Sequence, residues 1–79
     1  MYLKILSLKG IEYEGDITSL NIKTQSGEIT ILDNHRPLIT ILKGGRAVIT
    51  NQENRRQEVE IRGGFLEVAP KNKVSVLVD

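Results

Sequence analysis

Cysteine and tryptophan are absent, histidine occurs once, and only three of the 79 residues are aromatic (Tyr2, Tyr13 and Phe65). Without cysteine there is no disulfide framework and no thiolate zinc site. One His and three Asp are poor material for an all-His/Asp centre, so no metal or cofactor is expected. Charge of one sign is lacking too: 11 basic against 10 acidic residues, net +1. That balance excludes strong electrostatic capture of nucleic acid or anionic lipid as the main activity. No apolar run reaches the ~18 residues of a membrane span. The opening MYLKILSLKG lacks the shape of a secretory signal, and the expected compartment is the cytosol. At this length the chain is one domain, 1–79, with little room for both a core and an enclosed active site. A partner-binding role therefore leads over an enzyme.

What is present points to strands. Two Ala stand against ten Ile, six Val and five Thr. Branching at Cβ suits a pleated surface and costs rotamer freedom in a helix. Short apolar runs alternate with Gly, Asn or Pro signals every ~8–12 residues, the rhythm of a sandwich or barrel. The runs are Tyr2–Leu8, Tyr13–Asp16, Ile17–Thr24, Glu28–Leu32, Leu38–Leu42, Arg46–Thr50, Arg55–Arg62, Phe65–Ala69 and Lys73–Val78. Gly15, inside the second, predicts a bulge or bend. The reading is all-β: a small two-sheet sandwich of eight to ten short, mainly antiparallel strands. Its expected core is Ile5, Leu8, Ile17, Leu20, Ile22, Ile29, Ile31, Ile41, Val48, Ile49, Val59, Ile61, Phe65, Val68, Val74 and Val76.

Chemistry is scarce. His35, between Asn34 and Arg36 and beside Pro37, reads as a loop residue making a local hydrogen bond. No Ser sits in a nucleophile elbow. Glu58 and Glu60 read as the solvated face of an edge strand. Gly44-Gly45 and Gly63-Gly64 lack phosphate-loop spacing and read as bends. Arg55-Arg56 is a weak basic spot balanced by Glu53 and Glu58. Three aromatics far apart in sequence make a poor base-stacking platform.

The segment SGEITILDNHRPLITILKGG (Ser26 to Gly45) resembles the most characteristic stretch of the epsilon subunit of F-type ATP synthases, called delta in mitochondria. That family reads G-E-[hydrophobic]-x-[hydrophobic]-x-x-x-H-x-P-L there. LKILSLKGIEYEGDITSL resembles the family's opening strands, and IRGGFLEVAPKNKVSVLVD its G-G-hydrophobic-hydrophobic-E-V segment and last strand. The resemblance covers essentially the whole chain and implies a ten-stranded β-sandwich. It implies a non-catalytic rotor part of the central stalk, peripheral on the cytoplasmic face of an energy-transducing membrane. There it would clamp the gamma subunit to the membrane ring of c subunits.

Position by position, the resemblance implies ring contacts at Glu28, Ile29 and His35, and gamma contacts at Ser7, His35 and Thr40. Gly27, Pro37, Gly63 and Gly64 would set loop geometry. The sequence departs from the family at Thr30, where Gly is common, and at Arg36, usually small. It also stops at Asp79, where the family continues into a helical hairpin, so a sandwich lacking that hairpin is expected. The alternative function is a free-standing OB-like barrel that binds nucleic acid or oligosaccharide.

Overall fold

The computed structural model describes residues 1–79 and consists of strands and turns. In chain order the strands are β1 (Tyr2–Ser7), β2 (Gly10–Thr24), β3 (Gly27–Leu32), β4 (Leu38–Leu42), β5 (Gly45–Asn51), β6 (Arg56–Ile61), β7 (Gly64–Ala69) and β8 (Lys73–Val78). No helix is long and apolar enough to cross a membrane. Neighbours pair antiparallel except β1 and β8, which are parallel.

Hydrogen bonds run in the order β1-β8-β7-β4-β2-β5-β6, with β3 and β1 also paired to β2. The long β2 therefore belongs to both layers of a sandwich. Its first half pairs with β1, from Gly10 to Asp16. Its second half pairs with β3 and β5. A single Thr24–Leu42 pair joins it to β4. Continuity of β2 merges the runs Tyr13–Asp16 and Ile17–Thr24, so the nine runs become eight strands, because Gly15 does not interrupt it. Gly15 pairs in register with Leu3. The irregularities fall elsewhere, at extra residues Glu12 against β1 and Thr18 against β5. Thr18 Oγ1 donates to the Thr50 carbonyl at 3.1 Å, so the unpaired residue is tied by its side chain. An extra residue of this kind sharpens local twist and bends the strand, which lets one strand pass from layer to layer.

Alternation decides the core. Leu3, Ile5, Leu42, Leu66, Val68, Val74 and Val76 come from one layer. Ile17, Leu20, Ile22, Ile31, Ala47, Ile49 and Ile61 come from the other, and together with Met1 they form one buried cluster. Each such large side chain stabilises by roughly 1.5–3 kcal/mol gross. Six expected core members lie elsewhere. Leu8 is fully exposed at the β1–β2 turn, and Ile41 and Phe65 are about half exposed. Ile29, Val48 and Val59 are half-buried. Leu42 and Leu66 take the inward places next to Ile41 and Phe65. A shift of one residue exchanges the two faces of a strand.

The turns gather at two ends. The β1–β2, β2–β3, β4–β5 and β6–β7 turns lie at one end. The β3–β4, β5–β6 and β7–β8 turns lie at the other, with Met1. There the Met1 α-amino group donates to the Ile17 carbonyl at 3.0 Å and to Asp33 Oδ1 at 2.6 Å.

Candidate docking surface and placement of the site residues

Glu28 follows Gly27 at the mouth of the β2–β3 hairpin. Gly27 has φ +128°, a conformation that glycine adopts without penalty. The Glu28 carboxylate is exposed and accepts from Asn21 Nδ2 at 3.1 Å, and the same amide donates to Thr30 Oγ1 at 2.9 Å. Thr30 thus braces Asn21 across the pair of strands. Ile29 is half-buried against the core. His35 lies beyond the far end of β3, at least ~14 Å along the strand from Glu28. Its Nδ1 sits 2.7 Å from the Arg36 carbonyl, a local contact. The structure brings Glu28 and Ile29 together and places His35 at the opposite end.

Ser7 closes β1, and its hydroxyl is engaged locally. It donates to Glu12 Oε2 at 2.8 Å and accepts from the Lys9 amide at 3.1 Å. Thr40 pairs in register with the buried Leu66, so its half-buried side chain turns inward. Pro37 lies in the exposed β3–β4 connection. Gly63 accepts from the Asp79 amide at 3.4 Å. Gly64 has φ +140°, and a Cβ there would lie 2.9 Å from the Leu77 carbonyl carbon and 3.0 Å from Val78 Cα, closer still to the Leu77 oxygen.

Asp33 anchors the His35 end. Its carboxylate is held below the ordinary range by hydrogen bonds from the Met1 α-amino group and then from Asn72. Asn72 Nδ2 donates to Asp33 Oδ1 at 3.3 Å, while its Oδ1 accepts from the Asn34 amide at 2.8 Å.

The largest feature is one the sequence did not disclose. On the outer face of β1, β8, β7 and β4, one apolar row crosses five strands in register. Ile11 pairs with Leu6, Leu6 with Leu77, Leu77 with Phe65, and Phe65 with Ile41. At ~4.8 Å per strand the row is about 19 Å long. Phe65 is 54% exposed, and Ile39, on the same face of β4, is 73% exposed. The neighbouring row is polar: Glu14, Lys4, Ser75 and Glu67, with Lys4 and Glu14 ion-paired at 3.7 Å. A shallow groove of about 250 Å³ runs between Ile39, Phe65, Glu67, Ser75 and Leu77. A contiguous exposed apolar patch with a polar rim marks an interaction surface. Strands that are apolar on both faces, such as LITIL and VSVLV, were the available signal.

The aromatic residues do not converge. Tyr2 and Phe65 are on the outer face with β8 between them, and Tyr13 packs inward on the core. A base-stacking surface of the OB type is not assembled.

The fold and this surface define a two-layer β-sandwich with one uncovered apolar face. Residues 1–79 match the ATP synthase delta/epsilon chain beta-sandwich domain, and the chain belongs to that family. It is 40% identical over 76 residues to the ATP synthase epsilon chain of Psychrobacter arcticus, covering 96% of this chain and 54% of that one. The fold superposes with TM-score 0.90, at 19% identity, on a chain of the cryo-EM structure of the Euglena gracilis mitochondrial ATP synthase (OSCP/F1/c-ring in rotational state 1). That match covers 96% of this chain and 48% of the other. A chain of the Tetrahymena thermophila mitochondrial ATP synthase central stalk/c-ring structure matches with TM-score 0.82 at 16% identity, covering 99% and 62%. The chain spans about half the length of the curated relative it matches.

Proposed function

We propose that this chain is a non-catalytic central-stalk subunit of an F-type ATP synthase that clamps the gamma subunit to the c-ring. Ring rotation would then reach the catalytic head as torque, at the cytoplasmic surface of the membrane. Family membership supports the assignment, and the five-strand apolar row carries it. A sandwich at crystal-like packing density transmits strain, and an apolar face on it gives a partner something to grip. In this reading gamma covers Ile11, Leu6, Leu77, Phe65 and Ile41. Ser7 borders that row, Thr40 faces inward so that Ile39 and Ile41 face out, and His35 meets gamma at the far end. Glu28 and Ile29, at the opposite end, meet the polar loops of the ring, where a carboxylate accepts charge-assisted hydrogen bonds.

Co-expression with the cognate gamma subunit tests this. A stoichiometric pair is expected on size exclusion, and Phe65→Asp, at an exposed position, weakens it at least about tenfold with the circular dichroism unchanged. Glu28→Lys is expected to impair ring coupling and leave the gamma pair intact. Absence of measurable affinity for gamma would make the assignment wrong.

A further inference from the structure

The groove on the outer face of β8, β7 and β4 holds a single charge, Glu67, and nothing in the chain answers it. Register puts the walls of the groove on one side of the sheet. Ile39 pairs with Glu67 and Glu67 with Ser75, while Phe65 pairs with Leu77. Leu66 and Val68, on either side of Glu67, are buried in the core on the opposite face. Glu67 is exposed. The three ion pairs of the molecule, Met1–Asp33, Lys4–Glu14 and Arg46–Glu58, leave it out. Lys4, two strands away in the same row, is held by Glu14. Lys73 lies diagonally across, in register with Ala69, and makes no ion pair.

We infer that the protein covering this face seats an arginine in the groove, between the Glu67 carboxylate and the Phe65 ring. On the reading above, on which this rests, that protein is gamma.

Desolvation demands the cation. A partner that packs on Ile39, Phe65 and Leu77 strips water from Glu67, and a carboxylate buried without a countercharge is strongly unfavourable. The Ser75 hydroxyl can donate one hydrogen bond to it but cannot neutralise it. Geometry then selects arginine over lysine. Phe65 and Glu67 stand two residues apart on one face of β7, about 6.6 Å. A planar guanidinium spans that interval, with its fork on the carboxylate and its flat face on the ring. Its alkyl stem lies along the apolar walls. An ammonium is a compact, strongly hydrated charge and loses more on entering an apolar groove.

The co-expressed pair with gamma tests this. Glu67→Gln, at an exposed position, keeps the side chain's size and removes its charge. It should weaken the pair at least about thirtyfold, whereas Glu53→Gln, in the β5–β6 turn, leaves it unchanged. The arginines of gamma are then changed to Gln one at a time. In double-mutant cycles one of them should lose nearly all of its effect once Glu67 is Gln. Unaltered affinity in Glu67→Gln, alongside a loss in Phe65→Asp, overturns the inference and leaves the rotor assignment standing. Coupling of Glu67 to a lysine, Lys73 of this chain included, or to no residue overturns it as well. If Phe65→Asp is also without effect, the docking face itself is wrong, so the two failures are told apart.

Discussion

Gly64 and Gly27 have nearly the same backbone, φ +140° and +128°, but different surroundings, and the pair separates two costs of an added methyl group. At Gly27 a Cβ would meet nothing within 4 Å. Gly27→Ala therefore costs only the strain of a positive φ, about 1–2 kcal/mol, less a few tenths recovered from a stiffer unfolded chain. At Gly64 the Cβ would enter the Leu77 carbonyl, which is backbone in β8 and cannot rotate aside. Gly64 is paired with both Leu42 and Val78, so relief means separating β7 from β8 or from β4 at that end. We expect Gly64→Ala to cost more than about 3 kcal/mol. A 79-residue chain at 0.05–0.15 kcal/mol per residue has a total stability of about 4–12 kcal/mol. In thermal unfolding followed by far-UV circular dichroism, each kcal/mol moves the midpoint by roughly 4–8 °C at this size. Gly27→Ala should lose roughly 3–13 °C, and Gly64→Ala a larger amount, at least ~12 °C, or its fold. Equal losses, or a larger one at Gly27, would refute the role given to the Leu77 carbonyl.

Lys71 occupies the left-handed region at φ 67° in the β7–β8 turn, beside Asn72, which tolerates it. Lys71→Gly should stabilise by about 0.5–1 kcal/mol, read as a higher urea midpoint at unchanged slope; a lower midpoint contradicts the strain argument. The Asp33 carboxyl has its pKa depressed in the folded state, first by the Met1 α-amino group and then by Asn72. Its contribution is therefore present above the unfolded value near 3.9 and is lost as pH falls through the lower folded value. Denaturation midpoints of Asp33→Asn and the parent should differ at pH 6, and the gap should narrow as the pH falls below about 3.9; a constant gap on acidification would exclude this linkage.

Fold class was legible because β-branched abundance and turn punctuation act locally, and no helical period competed. Strand continuity was not. Gly15 reads as a break, but its missing side chain does not end pairing with Leu3, while Glu12 and Thr18, unremarkable in sequence, carry the irregularities. Facing was recoverable where one side of a strand is polar, as in Glu58, Val59, Glu60 and Ile61. It failed in LITIL and FLEVA, where Ile41 and Leu42, or Phe65 and Leu66, are equally apolar and only pairing with neighbouring strands selects the inward member. Leu8 was assigned to the core although it lies an odd number of positions from Ile5, and alternation already sets it apart. The docking row could not be read, because its members come from five strands and meet only through register.

One strand serving both layers also governs how the domain comes apart. Neither layer can open fully without breaking β2, whose residues Ile17, Leu20 and Ile22 are fully or almost fully buried and whose two halves hold β1 on one side and β3 and β5 on the other. Partial opening is confined to the edge strands β3 and β6. The β2 amides that are not bonded to β3 should therefore exchange with solvent only when the whole molecule unfolds, which makes that part of the strand the internal gauge of global stability.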